Sequence, residues 1–250
     1  MTTIGFLGCG TIGKAMLRHA QTRGDHSIAF VQDPFFEDDF NLACPVVSQL
    51  DKNLCKADLV VECATADVLK QSYEHYLQQG SLMVFSLTAF SDESFEQRVS
   101  ELCRENGTRV YLPHGAILGL DGIYDAREIL TSISIETIKN PKSLGREDVE
   151  QTLVYEGPTR EVCHLYPRNV NVHAAVALAG LGFDKTQSKI ISDPSVHTNS
   201  HNICVEGEGI SFRLELSSFS SGGITGAYTP ISACGSLDRV LGGSGIYQFV

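Results

Sequence analysis

Six residues near the start of the chain, Gly8-Cys9-Gly10-Thr11-Ile12-Gly13, constrain the fold more than any other feature of the sequence. They stand between an apolar run, Ile4 to Leu7, and a stretch in which Ile12, Ala15, Met16 and His19 recur at i, i+3, i+4 and i+7, the spacing of one helical stripe. A strand that passes through three spaced glycines into a helix needs each for a different reason. Gly8 permits a tight turn, Gly10 lets a ligand reach the backbone, and Gly13 lets the helix approach the sheet. The free N–H groups of that helix, which opens with Thr11 and Ile12, and its positive dipole end suit phosphate. Asp33 lies twenty residues beyond Gly13, at the end of a second strand that begins at Ser27. A carboxylate there accepts hydrogen bonds from both adenosine ribose hydroxyls and repels a 2′-phosphate. Pro34 and Phe35 follow it rather than Arg, so the pattern predicts NAD, with NADP as the alternative.

The next segments alternate strand candidates (59–63, 82–85 and 109–112) with helices that carry Leu69, Ser72, Tyr73 and Tyr76, then Phe95, Val99 and Leu102, on one face. Right-handed crossovers place such helices on both faces of a parallel sheet. Residues 1–110 therefore read as a doubly wound Rossmann domain, and the chain as α/β. Beyond it the pattern changes. Ile133 and Ile135 stand at period two within 131–138, residues 189–192 are β-rich, and the runs 201–206 and 211–216 flank a hairpin-like Gly207-Glu208-Gly209 turn. Residues 111–224 are thus expected to form an α+β domain with a mostly antiparallel sheet, for substrate and dimerisation. The segment 225–250 is expected to pack back on the first domain. One strongly apolar helix, Val172 to Leu181, interrupts the sheet, with Asn169 and Asn171 as candidate caps and Gly182 as its stop. The glycine-rich stretch 242–245 reads as a frayed tail.

Composition removes several classes of function. A chain of 250 residues that is 42% hydrophobic and 20% charged is neither disordered, collagenous nor a coiled coil. Its 30 acidic and 19 basic residues give a net charge of −11 without any Lys/Arg cluster, which argues against nucleic acid. No apolar run is long enough for a membrane span, and the opening residues do not resemble a secretory signal. The eight cysteines include no C-x-x-C pair and read as buried free thiols of a cytoplasmic protein.

Three segments narrow the reading further: PHGAILGLDGI (113–123), YPRNVNVHAAVALAGLGFDKT (166–186) and DPSVHTNSHNICVEGEGISFRLEL (193–216). They resemble the L-aspartate dehydrogenase family, and the resemblance covers nearly the whole chain. The Asn169-Val170-Asn171 tripeptide before an Ala-rich helix is not a general Rossmann feature. The resemblance implies an NAD(P)-dependent amino-acid dehydrogenase acting on CH–NH2 donors, an oxidoreductase that converts L-aspartate to iminoaspartate. Water then releases oxaloacetate and ammonia, or the imine is passed to quinolinate synthesis and so to pyridine nucleotide (NAD) biosynthesis. It also implies a homodimer. Carried across by motif, it makes His201 catalytic and adds Ala116 and Asn171 to Gly8, Gly10, Thr11, Ile12, Gly13 and Asp33 as cofactor contacts. The family usually has Ser before the Gly115-Ala116 pair, where this chain has His114. That position lies beside nicotinamide and substrate, so His114 keeps open a dehydrogenase or reductase of another small amino or imino acid.

The chemistry of the residues is consistent with these roles. Oxidising an amino acid requires a neutral amine, hydride loss from Cα and proton handling at the imine, and an imidazole with a pKa near about 6.5 can take and give protons near neutrality. His201 shares strand parity with Ile203 and Val205 and is expected to point with them into a cleft; the competing reading is a histidine that satisfies a buried strand end. His197 is its rival, four residues upstream, and with no third ligand nearby no metal site is expected. Arg168 offers a fork for one carboxylate of a dicarboxylic amino acid, or is a surface charge beside a proline. Phe212, Leu214 and Leu216 give the sheet an apolar side that calls for a cover from a second copy. The alternative outside enzymes is a dinucleotide-binding redox sensor, which would have no need of NVN together with His201.

Overall fold

Strand β1 (Thr3–Leu7) feeds α1 (Thr11–Arg23), and the remaining strands of its sheet are β2 (Ser27–Gln32), β3 (Val46–Val47), β4 (Leu59–Glu62), β5 (Ser81–Val84) and β6 (Val110–Tyr111). All pairings are parallel, in the order β3-β2-β1-β4-β5-β6. The connections carry α2 (Ala66–Leu77) and α3 (Glu93–Asn106). The computed structural model describes residues 1–37, 39–219, 226–243 and 246. The chain divides into two units, Met1–Pro113 with Pro230–Val250, and His114–Thr229. The first division falls three residues after the 110/111 boundary expected from sequence, and the return falls at 230 rather than 225.

Within the first unit the buried face of α1 is Gly13, Met16, Leu17 and Ala20, not the Ile12, Ala15, Met16 and His19 stripe. The glycine decides this, because the helix presses Gly13 against the sheet and the face centred on it goes inward. His19 instead meets Asp238 of α7 (Tyr228–Val240), 2.8 Å away, and Arg23 donates to the same carboxylate oxygen at 2.6 Å. Ala233 and Leu237 of α7 are fully buried with Ile4, Phe6, Met16 and Leu17, so the last helix completes the core of the first. Burying a leucine such as Leu237 stabilises by about 2 kcal/mol. Of the glycine-rich tail, Gly242 (φ +84) and Gly243 close the last turn of α7, with the Gly243 N–H bonded to the Asp238 carbonyl at 2.7 Å; residues 244 and 245 lie outside the described residues.

The second unit is a five-stranded sheet of β7 (Leu130–Lys139), β8 (Thr152–Pro158), β9 (Gln187–Ser192), β10 (Thr198–Gly207) and β11 (Ile210–Phe219). Its order is β11-β10-β7-β9-β8, with only β7 and β9 parallel. Helices α4 (Leu120–Ala126), α5 (Thr159–Leu165) and α6 (Asn171–Ala179) complete it. Gly209 takes a φ of +77° in the two-residue turn joining β10 and β11, a conformation that favours glycine. Helix α6 starts at Asn171 and ends at Ala179, with Gly180 as its C-cap, so both ends come earlier than expected. Val170 is its N-cap residue and neither Asn169 nor Asn171 caps it.

Residues directly opposite across an antiparallel pair share a face. Val205 stands between Ile133 and Phe212, Ile203 between Ile135 and Leu214, and His201 between Thr137 and Leu216. Phe212, Leu214 and Leu216 therefore extend the helix-covered face, half-buried, and a side chain on Gly119 at the start of α4 would strike Leu214. They are not the uncovered side that the sequence suggested. The opposite face is polar, carrying Glu136, Lys189, Asn202, Arg213 and Glu215, with Lys189 paired to Glu136 at 3.1 Å. The cysteines are free, but only Cys9, Cys55 and Cys163 are buried; the other five are partly exposed. Among the described residues no helix is long and apolar enough to cross a membrane.

Candidate active site

The glycine turn has the geometry that a dinucleotide requires. Gly8 takes a φ of +85°, and a Cβ there would stand 2.7 Å from the Ala64 nitrogen. A Cβ on Gly13 would stand 2.3 Å from the Gly8 carbonyl oxygen, so strand, turn and helix meet with no room for a side chain. Around Gly10 the space is open, with no heavy atom within 4 Å of a Cβ. Gly10 is also the N-cap of α1 and no side chain caps that helix, which leaves the N–H groups of Thr11, Ile12 and Gly13 for an anion. Asp33 lies one residue beyond β2. Its Oδ2 accepts from the Cys9 N–H at 2.7 Å and its Oδ1 from the Phe35 N–H at 2.8 Å. A cavity of about 500 Å³ opens beside Gly8, Gly10, Asp33, Ser48, Thr65 and Ser72. No lysine or arginine is among the described residues that line it, so nothing there offsets a 2′-phosphate against Asp33. The residues present fit an adenine dinucleotide.

Beneath this cavity lies a carboxylate that the sequence reading passed over. Glu62, fully buried at the end of β4, accepts four hydrogen bonds: from the Ala64 N–H (2.8 Å) and Ser86 hydroxyl (2.7 Å) at Oε1, and from the Phe85 (3.2 Å) and Ser86 (3.0 Å) N–H groups at Oε2. Burial raises its pKa and these donors oppose the rise. Glu62 thereby ties the loop after β4, which lines the cavity through Cys63, Ala64 and Thr65, to the loop after β5.

In the second unit His201 is 3% exposed. Its Nδ1 lies 2.8 Å from Thr137 Oγ1, which is 2.7 Å from His173 Nε2. His173 Nδ1 lies 2.9 Å from Ser188 Oγ, which is 2.7 Å from Thr159 Oγ1. No described residue bonds His201 Nε2. Lys139, two residues beyond Thr137 on the same face, is 6% exposed and donates to the Asn169 carbonyl at 3.0 Å. Burial lowers its pKa to about 8. Burial, and secondarily the Lys139 charge, push the His201 imidazole down to about 3; burial, then the neighbouring His201 and Lys139, hold His173 well below the usual histidine value. The site contains two neutral imidazoles beside one desolvated cation, an arrangement suited to receiving an anion.

The predicted residues separate accordingly. Gly8, Gly10 and Asp33 line the cavity of the first unit and Thr11, Ile12 and Gly13 form the first turn of α1 beyond Gly10, while His201 lies with His173 and Lys139 in the second. Asn171 opens α6, two residues before His173. His114 and Ala116 occupy a turn closed by the Ile117 N–H on the His114 carbonyl at 3.0 Å, with Gly115 at φ +59°. Arg168 and His197 are exposed, and neither bonds to any described residue. The buried cation is Lys139, not Arg168. Its signal was available in β7, where Ile133 and Ile135 set an inward parity that continues through Thr137 and Lys139.

A parallel sheet of this order, a glycine turn braced by a carboxylate just beyond the second strand, and a mixed-sheet unit that buries an imidazole fit the class of nicotinamide-dinucleotide-dependent oxidoreductases. The family "Homoserine dehydrogenase, NAD binding domain" matches residues 8–113 and "Aspartate dehydrogenase, C-terminal" matches 121–240. L-aspartate dehydrogenase of Methanosarcina barkeri is 32% identical over 96% of this chain and 97% of its own. That of Archaeoglobus fulgidus is 35% identical over 82% of each. The crystal structure of aspartate dehydrogenase from Thermotoga maritima superposes with a TM-score of 0.81 at 27% identity, covering 100% of both chains. The chain belongs to the L-aspartate dehydrogenase family.

Proposed function

We propose that this protein oxidises L-aspartate to iminoaspartate, with the first unit holding NAD and His201 of the second acting as acid/base. The observation that carries the reading is the His201 imidazole, which is buried, held through Nδ1 and, among the described residues, left with Nε2 unbonded beside the Lys139 cation. Bound NAD supplies the acceptor for the hydride that leaves substrate Cα. His201 Nε2 takes the proton of the substrate ammonium, so that the nitrogen lone pair can form the C=N bond as the hydride departs. Once that proton has passed to solvent, the same nitrogen takes a proton from the water that adds to the imine and returns it to the substrate nitrogen, which leaves as ammonia as oxaloacetate forms. Lys139, with a single described acceptor, pairs with one substrate carboxylate. Asn171 and Ala116 are the further cofactor contacts, and His114 bears on which amino or imino acid is taken. NAD is favoured over NADP by Asp33 and by the absence of described cations around its cavity.

The free thiols suit a reducing compartment, which supports a cytoplasmic location. A homodimer is favoured through the outer, mixed-charge face of the five-stranded sheet, where Lys189, Arg213 and Glu215 can meet their opposites on a second copy; light scattering on the purified protein tests it.

Mixing protein, NAD and L-aspartate at mildly alkaline pH and following nicotinamide absorbance tests the activity. Aspartate-dependent reduction that is lost in His201→Ala is the expected result. Cofactor binding without turnover would make the protein a dinucleotide sensor, and full turnover in His201→Ala would remove that residue from the mechanism.

A further inference from the structure

Four buried side chains link the buried His201 ring to the backbone carbonyl of Thr186, and one order of protons satisfies them all. A carbonyl can only accept, so the Thr159 hydroxyl, 3.0 Å from it, donates to Thr186. Thr159 Oγ1 then accepts from the Ser188 hydroxyl, which leaves Ser188 Oγ to accept from His173 Nδ1–H. A neutral imidazole with its hydrogen on Nδ1 has its lone pair on Nε2, so His173 Nε2 accepts from the Thr137 hydroxyl. Thr137, its proton already committed, accepts from His201 Nδ1–H. The direction set at Thr186 therefore passes through β9, α6 and β7 to reach β10. At its end His201 carries hydrogen on Nδ1 and a lone pair on Nε2.

We propose that Thr137, His173 and Ser188 are positioning residues which, through this one-way chain of hydrogen bonds, hold His201 in the tautomer whose Nε2 can take a proton from substrate. The proposal rests on the acid/base role given to His201 above. The opposite tautomer would turn an N–H toward the substrate ammonium, donor against donor, and could not receive its proton. No carboxylate terminates the chain. It orients the ring without anchoring a positive charge on it, so the imidazolium formed in the reaction is not stabilised in place and gives its proton back readily.

The tautomer is read from the ¹⁵N shifts of the imidazole nitrogens, which separate a protonated from a bare nitrogen, in the full-length protein with and without NAD. Wild type is expected to show His201 protonated at Nδ1. Ser188→Ala removes the acceptor of the His173 N–H, freeing His173, Thr137 and His201 to reverse together, so the Nε2–H form of His201 appears. Thr137→Val cuts the chain at nearly constant shape, and Thr137→Ser restores it. The expected kinetic signature in Ser188→Ala and Thr137→Val is a kcat lowered about tenfold or more with KM for aspartate and NAD held within about twofold, and near-wild-type turnover in Thr137→Ser. A wild-type His201 protonated at Nε2, or a tautomer unmoved by both Ser188→Ala and Thr137→Val, overturns the proposal. A tautomer that shifts as expected while turnover stays unchanged upholds the chain and instead removes His201 from the chemistry.

Discussion

The carboxylate of Asp33 is bonded to the backbone N–H of Cys9 at 2.7 Å, so the side chain proposed to read the ribose also braces the glycine turn proposed to cradle the phosphates. The two functions give Asp33 two separable effects. Asp33→Ala removes the ribose acceptor and the negative charge, and a charge-assisted hydrogen bond is worth about 1.5–3 kcal/mol, or roughly 10- to 150-fold. KM for NAD is expected to rise by that order and KM for NADP to rise far less, narrowing the preference. Steady-state kinetics with both cofactors checks this; a wild type that prefers NADP, or an unchanged ratio in the variant, contradicts it.

Gly10 and Gly13, three residues apart, are expected to fail differently. A Cβ on Gly10 meets nothing, and its backbone (φ −71°) suits any residue, so Gly10→Ala should fold with wild-type stability and lose NAD affinity because the methyl occupies phosphate space. A Cβ on Gly13 collides with the Gly8 carbonyl, so Gly13→Ala should lose stability by about 1–3 kcal/mol. Thermal unfolding of both apo variants, with NAD titration of the folded ones, separates the two. An unstable Gly10→Ala would mean that the space is not reserved for a ligand.

These glycines were legible in the sequence because a requirement for no side chain is local: strand, turn and helix lie within a dozen residues. The parallel sheet and the hairpin were legible for the same reason, since periodicity records which side of an element is buried. What the sequence did not disclose was assembled from a distance. Thr137, His173, Ser188 and Thr159 are neighbours only because β7 pairs with β9 and β10 and α6 lies over that face. Likewise Glu62 reads as one more strand residue until the loop of Ser86 closes around it. Phe212, Leu214 and Leu216 were assigned a side correctly as a group, but which side the helices cover depends on pairing with His201, Ile203 and Val205.

Lys139 should trade stability for substrate binding. Its pKa is about 8 in the folded protein against 10.5 for an ordinary lysine. Below pH 8 both folded and unfolded chains carry the charge, and folding bears the full cost of burying it, about 3 kcal/mol by linkage; the cost fades as pH rises from 8 to 10.5. Lys139→Met is therefore expected to unfold at the same or a higher temperature at pH 7. Its KM for aspartate should rise about tenfold or more, from the loss of a buried charge-assisted bond, with KM for NAD unchanged. A variant with unaltered KM for aspartate would dissociate Lys139 from the substrate.

Acid should unfold the second unit through its two neutral imidazoles. His201 titrates at about 3 in the fold against 6.5 outside it, and His173 is also held well below 6.5, in both cases chiefly because burial penalises the charged ring. Above pH 6.5 neither ring carries a proton in the folded or the unfolded chain, and their contribution to stability is fully present. As pH falls from 6.5 toward 3 the unfolded chain takes up protons that the folded one refuses, so stability declines by up to about 1.4 kcal/mol per pH unit for each ring. His201→Gln removes one of the two. The dependence of urea-unfolding free energy on pH between 4 and 6 should flatten by about that single-proton amount relative to wild type. A dicarboxylate bound beside Lys139 places negative charge near His201 and raises its proton affinity, so saturating aspartate with NAD should shift the decline to lower pH in wild type. Equal slopes in wild type and His201→Gln would show that His201 titrates normally in the fold, and that the neutral ring on which the proposed chemistry depends is not maintained by burial.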